Sequence, residues 1–430
     1  MPEYSAPFGT QDVLPEDQPY WRMVTRRAEE LSLRYGFQRI DPPLFEDTRI
    51  FLKGSGEASD FVVQKEMYTL EKDEGQSITF RPEFTPGVMR AYLEHGMHAG
   101  PQPVKLYSIG PIFRHDRPQA GRYRQHSQFN VEILGEQDPV ADLEVMLLAL
   151  NLFADLGYRG LSFQLNSTGC PRCRPSYIAR LVEYASGFAD ELGEVDRIRL
   201  ARNPLRLLDS KEPGMEKRLA QAPHFVDHLC DECSAHLAEL CRYLDALDKP
   251  YTVNFRLVRG LDYYTKTVFE VWAEGIGAQA AICGGGRYDG LAETLGGPPT
   301  PGVGFGSGIE RIILGLKEAG VQPAPLPEPE VFVAHFGGRT KLQAVATVFD
   351  LRAGGVGARI AFAWNSRSLK SQMREADRYQ VPFVVIIGES ELDAGQVTVR
   401  DMVAGEQALV PLTELEAWLK NHLITQVPGR

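Results

Sequence analysis

The stretch "VKLYSIGPIFRHDRPQAGRYRQHSQFNVEILG", residues 104–135, decides how this chain must fold. Its outer parts, "VKLYSIGPIF" and "HSQFNVEILG", read as long strands. Between them Arg114, Arg117, Arg122 and Arg124 crowd around Pro118 and Gly121, residues that shape a tight tip. Strands joined by a hairpin pair antiparallel. Clustered charge in a turn is usually just solvated. These arginines, however, neighbour Tyr123, Gln125 and Gln128 and have few acids at their margins. An arginine fork fits two phosphate oxygens, so the loop is expected to hold phosphate.

Outward from that loop, strand-like segments outnumber crossover helices. "FQRIDPPLFED" is extended because its prolines would break a helix, and "YTLEKDEGQSITFRPE" is a hairpin. "DQPYWRMVTRRAEELSLRYG", "PGVMRAYLEHGM" and the amphipathic "DPVADLEVMLLALNLFADLG" are helices. The expectation is a large α/β domain over 1–325 on a mostly antiparallel sheet. Within it, about 166–250 reads as a helical insertion, after which "YTVNFRLVRGLDYYTKTVFEVW" resumes a strand pattern. The proline-rich "GVQPAPLPEPE", 320–330, is a linker whose end is 326–330. Residues 331–430 alternate buried strands with helices, so a small, largely parallel α/β domain is expected. That region holds 11 Lys+Arg and 10 Asp+Glu, yet Lys370, Arg374 and Arg378 fall at four-residue steps on one helix face.

At 430 residues the chain needs two or three cores. No apolar run suits a membrane span, and the N-terminus has no signal-peptide pattern, so the cytoplasm is expected. Six cysteines are too few for a disulfide scaffold. A net charge of −11 argues against a general nucleic-acid coat but leaves room for a local positive surface.

Other segments carry candidate chemistry. Arg259, Asp262, Tyr263 and Tyr264 interrupt apolar sequence and suit the wall of a polar pocket. "CGGGRYDGL", 283–291, reads as a glycine-rich turn into a helix. "PGVGFGSGIERIILGL", 301–316, runs a glycine-rich strand into a helix carrying Arg311. No P-loop occurs. "RPEFT" places Glu83 and Thr85 on one face of an extended segment, and Glu132 is a second carboxylate in apolar sequence. With Gln128 they suit a ligand bearing an ammonium group and an imidazole. Cys170-Pro-Arg-Cys173 and Cys230-Asp-Glu-Cys233 are two CxxC pairs, a zinc-compatible spacing separated by a long loop. Buried apolar cysteines are the alternative.

On these segments, together with "GTQDVLPED" near the start and the tail "SRSLKSQMREADRYQVPFVVIIGESELDAGQVTVRDMVAGEQ", the chain resembles the histidyl-tRNA synthetases, class II aminoacyl-tRNA synthetases. "RGLDYY" and "GGRYDGL" are the histidine-specific signatures. The resemblance implies a homodimer built from an antiparallel catalytic domain with a helical insertion and a C-terminal α/β anticodon-binding domain. The dimer motif would lie around Pro43. Such an enzyme activates histidine with ATP and Mg²⁺, then charges tRNA(His). By position, Arg114, Arg259 and Arg311 match the catalytic phosphate-binding arginines, and Asp116 and His126 match adenine contacts. Glu83, Thr85, Gln128, Glu132, Tyr263, Tyr264 and Tyr288 match the histidine pocket. Arg117, Gln119 and Arg122 would meet the tRNA acceptor end, and Arg367, Lys370 and Arg374 the anticodon. The family pattern has another residue at Phe8, a glycine at Phe84, a glutamate at Asp116 and a phenylalanine at His126. An alternative is the family's non-catalytic paralogue, which partners ATP phosphoribosyltransferase. The presence of Arg114, Arg259, Arg311 and a whole C-terminal domain favours the enzyme.

Overall fold

The computed structural model describes residues 4–55, 66–71, 75–117, 121, 123–274, 281–362 and 367–426. The chain forms two compact units, Met1–Ala324 and Pro325–Arg430. The first contains β1 (Gln38–Arg39), β2 (Phe45–Asp47), β3 (Thr69–Glu71), β4 (Ser77–Phe80), β5 (Val104–Phe113) and β6 (Gln125–Leu134). It continues with β7 (Ser162–Ser167), β8 (Tyr251–Val253), β9 (Thr265–Trp272), β10 (Ala281–Arg287) and β11 (Gly302–Gly308).

Eight of these strands form one sheet in the order β1-β5-β6-β11-β10-β9-β7-β8. Only the β1–β5 and β7–β8 pairs are parallel. The expected antiparallel sheet is therefore present. Its two longest strands flank the arginine loop, paired from Val104↔Leu134 to Phe113↔Gln125. Alternation along β6 gives the sheet two unlike faces. Phe129, Val131 and Ile133 enter the main core with Val303 and Phe305 of β11. Gln128, Asn130 and Glu132 project from the other side.

The helix Pro139–Asp155 departs from the amphipathic reading. Val145, Met146, Leu148, Ala149, Leu152 and Phe153 are all fully buried, and even Asp142 is inaccessible. Such a helix is enclosed rather than half-exposed. Asp142 faces the buried Arg287, whose Nη1 also donates to Glu136 O at 2.7 Å. Burial alone would raise the Asp142 carboxyl. Arg287 and His236 outweigh it and hold the group at about 2.

The insertion is helical, with Arg174–Ser186, Glu194–Arg202 and Asp231–Ala246 as its long helices. It has a hydrophobic cluster of its own, including Tyr177, Leu181, Leu207, Leu219 and Phe225. The last helix spans both cores, because Leu240 and Leu244 join the main cluster. The segment read as a strand across 259–264 is a turn-rich loop; pairing resumes only at Thr265. Ahead of it, Phe255 and Leu257 are tied to Asn166 of β7, whose Nδ2 donates to Phe255 O and Leu257 O.

The second unit is a five-stranded sheet ordered β13-β12-β14-β15-β16. These are β12 (Val331–His335), β13 (Ala358–Ile360), β14 (Phe383–Ile387), β15 (Gln396–Asp401) and β16 (Gln407–Pro411). The first three are parallel and the last two close the sheet as an antiparallel hairpin. A terminal helix, Leu415–Gln426, adds Leu415, Leu419 and Leu423 to the core at four-residue steps.

Candidate active site

A cavity of about 310 Å³ opens on the polar face of the large sheet. Gly284 of β10 and Gly304, Gly306 and Gly308 of β11 lie in its wall. "CGGGR" is thus strand, not the turn the sequence suggested. A methyl group at Gly284 would sit 2.5 Å from Arg259 Nη1. One at Gly304 would collide with Glu132, and one at Gly306 with Gln128. Long polar side chains from adjacent segments cross the sheet there, and only glycine leaves them room.

Arg114, Arg259 and Arg311 all line this cavity. Arg114 continues from β5 and its Nε donates to Pro82 O at 2.8 Å. Arg311 stands in the first turn of Ile309–Glu318, directly after β11. Arg259 Nη1 donates to Glu270 Oε1 at 2.6 Å, and Trp272 Nε1 donates to Glu270 Oε2 at 3.0 Å. Arg259 Nε is buried and has no hydrogen-bond partner among the described residues. Glu270, unnamed from sequence, is also a lining residue. It is the lone acid of "TVFEVW", opposite Gly284 in the ladder.

The acidic end is built around two carboxylates. Glu83 accepts from Ser55 Oγ at 2.5 Å and from Tyr263 OH at 2.7 Å. Burial, partly offset by these donors, raises its carboxyl above the ordinary value. Burial foremost, then Glu83, keeps the Tyr263 hydroxyl protonated. Thr85 does not share an extended face with Glu83; it opens the helix Thr85–Glu94, ahead of Pro86. Glu132 is not in the cavity lining. It lies behind it, accepting from Thr85 Oγ1 at 2.6 Å, Asn130 Nδ2 at 2.9 Å and Tyr288 OH. Burial pushes Glu132 up to about 7 despite those donors. Thr85, Gln128, Asn130, Tyr263, Tyr264 and Tyr288 complete the polar wall.

His126 lines the cavity, its Nδ1 3.0 Å from Tyr123 O. Asp116 stands outside the lining and accepts from Arg117 N at 2.6 Å. Arg117 is exposed. Gln119 and Arg122 lie outside the described residues. Two of the unusual residues pair with cations. Phe84 packs 4.1 Å below Arg81 in a buried cluster, and Phe8 lies 5.2 Å from Arg124. In the second unit, Lys370 and Arg374 are exposed on the helix Leu369–Arg378. Arg367 is instead tied down, its Nη1 donating to Glu375 Oε2 at 2.7 Å.

The four insertion cysteines converge. Cys170, Cys173, Cys230 and Cys233 have all Sγ atoms within 4.8 Å of one another.

The description "Histidyl-tRNA synthetase" belongs to the family model that matches residues 9–173 and 189–312. "Anticodon binding domain" matches 330–422. A histidine–tRNA ligase of Dehalococcoides mccartyi is 48% identical over 420 residues, 98% of this chain and all of that protein. One from Desulforudis audaxviator is 49% identical over 412 residues, 96% of this chain and 97% of that one. The apo histidyl-tRNA synthetase of S. aureus superposes with a TM-score of 0.80 at 35% identity, covering 97% of this chain and 100% of that one.

Proposed function

The chain belongs to the histidyl-tRNA synthetase family, and we propose that its glycine-floored cavity is where histidine and ATP react. It is a histidine–tRNA ligase: it activates histidine as the adenylate, releasing pyrophosphate, and transfers the histidyl group to the 3′ end of tRNA(His). The regulatory-paralogue reading has less support, since near-full-length identity is to ligases and the anticodon-binding region is present.

The observation that carries the site assignment is the meeting of three arginines and a carboxylate–tyrosine pocket in one cavity. Glu83 supplies the fixed anion for the α-ammonium group, with Thr85 and Gln128 beside it. Tyr264, Tyr288 and the carboxyl of Glu132 behind them select the imidazole. The histidine carboxylate then attacks the α-phosphorus in line as the bond to pyrophosphate breaks. Arg259 and Arg114 stabilise charge at the α-phosphate, and Arg311 anchors the γ end. Arg259 is held for this by Glu270, and its buried Nε, without a partner among the described residues, would donate to a phosphate oxygen. His126 stacks on the adenine, and Asp116 receives its amino group.

Mg²⁺ accompanies ATP as its counter-ion. Glu83 and Glu270 are the carboxylates among the described lining residues that would face the ion. Arg117, Gln119 and Arg122 at the loop tip meet the acceptor end; Lys370 and Arg374, with Arg367 as their support, meet the anticodon. Exposed Phe45 and Leu70 on the small β2-β4-β3 sheet, with Leu44 just before it, support pairing as a homodimer near Pro43. No helix among the described residues is long and apolar enough to cross a membrane, and the cytoplasm is the proposed location. Zinc is the ion whose chemistry fits the four thiols.

Arg259→Ala tests the assignment. Histidine-dependent adenylate formation should fall at least about 100-fold, as for loss of a transition-state charge contact, with circular dichroism and melting unchanged. Full activity would remove Arg259 from the chemistry.

A further inference from the structure

We propose that the four insertion cysteines bind one zinc ion as a tetrathiolate, and that this centre fixes the loop carrying Arg259, Tyr263 and Tyr264, so that metal occupancy governs histidine binding. The coupling rests on the zinc reading above.

The geometry is that of a closed metal site. Zn–S bonds of about 2.3 Å in a tetrahedron put sulfurs roughly 3.8 Å apart. Here Cys170–Cys230 is 3.7 Å, Cys170–Cys173 3.9 Å and Cys173–Cys233 3.9 Å. A disulfide needs about 2.05 Å, and all four cysteines are unpaired. The supporting groups suit an anionic centre. Cys170 N donates to Cys173 Sγ at 3.3 Å, and Arg172 Nη2 lies 3.9 Å from Cys230 Sγ. Gly169, at φ +60°, leaves the space that Cys173 Sγ and Phe225 occupy. Cys173, Cys170 and Cys233 are buried, as a structural site requires.

Both knuckles continue into the recognition loop. Directly after Cys173, Arg174 donates to Thr168 O at 3.0 Å, to Tyr264 O and, at 3.5 Å, to Asp262 O. Beside Cys233, Glu232 pairs with Lys266 Nζ at 3.0 Å. Lys266 N donates to Gly169 O and Thr168 N to Lys266 O, each at 2.8 Å. Lys266 has φ +46°, a conformation a non-glycine residue holds only when its surroundings impose it. The metal knuckles thus grip the chain at 262, 264 and 266, on both sides of the two pocket tyrosines. Arg174 and Lys266 are positioning residues; neither lines the histidine cavity.

The test uses the full-length protein. Metal analysis after purification under reducing conditions should give one zinc per chain. Cobalt(II) substitution should give the visible bands of a tetrahedral tetrathiolate, and both signals should vanish in Cys230→Ser. Absence of metal and of the cobalt bands, or two disulfides in their place, would overturn the site itself. Arg174→Gln, which keeps every thiol, tests the coupling independently of folding around the metal. With zinc retained, it should raise KM for histidine about tenfold in pyrophosphate exchange and leave KM for ATP within twofold, and Arg174→Lys should recover part of the loss. Zinc bound at one equivalent but an unchanged histidine KM in Arg174→Gln would leave a metal site and overturn its link to recognition.

Discussion

Glu132 is a buried carboxyl behind the cavity whose ionisation the fold perturbs strongly. Its ordinary value is 4.5, and burial raises it to about 7 in the folded chain. The folded state therefore holds this proton at pH values where the unfolded chain has lost it. The stability it contributes is complete below about 4.5 and disappears as pH rises through about 7. Glu132→Gln removes that titration. Thermal melts of the ligand-free protein should show the variant gaining on the wild type between those limits, by on the order of 3 kcal/mol. Glu310 is raised to about 7 in the same direction, but it is common to both proteins and cancels in the difference. A difference curve flat with pH would mean that Glu132 is ionised throughout. The same change should weaken histidine binding about 10- to 100-fold, the worth of hydrogen bonds to a charged group.

The glycine strands show why the motif "GGG" is not interchangeable within itself. At Gly284 the three atoms nearest an added methyl all belong to the guanidinium of Arg259, the end of a flexible side chain that can swing aside. At Gly285 it meets Gly304 O and the Phe305 backbone, which cannot move without breaking the β10–β11 ladder. Gly284→Ala should therefore melt within a few degrees of wild type yet lose most adenylation, measured side by side by calorimetry and exchange. Gly285→Ala should lose stability by several kcal/mol, like other overpacked cores. The reverse pattern would mean that Arg259 is not seated over Gly284. These strands also mark where sequence reading stopped short. Hairpins and the β5–β6 pair were legible because apolar alternation and turn residues coincide there. "CGGGR" looked like a turn because glycine is a turn residue when nothing else is known; its reason lies in side chains of other strands crossing it. Glu270 escaped notice because its partner, Arg259, is eleven residues away. Arg287 gave no local sign that it would meet Asp142 in the core. The terminal helix was legible in the spacing of Leu415, Leu419 and Leu423 and went unread.

Across the whole chain, a net charge of −11 coexists with a few concentrated cationic surfaces. The arginines lining the cavity and the exposed Lys370 and Arg374 lie in different compact units. Their roles should separate accordingly. Lys370→Glu with Arg374→Glu should raise KM for tRNA at least about tenfold, with the largest loss at low salt, where counterion release by those two cations contributes most. Histidine-dependent exchange should stay at the wild-type rate. Equal loss in both assays would place that helix in folding rather than in RNA binding. The class of each unit was readable from its strand and helix periods. Glu83, Glu132, Tyr263 and Tyr264 stood out in the sequence as polar groups in apolar segments, but their sharing one place was not legible, since those segments lie far apart. Spatial convergence of that kind has no local pattern.

The decisive experiment is pyrophosphate exchange into ATP, run with purified protein, Mg²⁺ and each proteinogenic amino acid in turn. Exchange with histidine alone is the expected result: it would require the arginine cluster to stabilise adenylate formation and the acidic pocket to select the side chain. No exchange with any amino acid, from protein that melts cooperatively, would contradict it. The cavity would then be a binding site without chemistry, as in the regulatory paralogue.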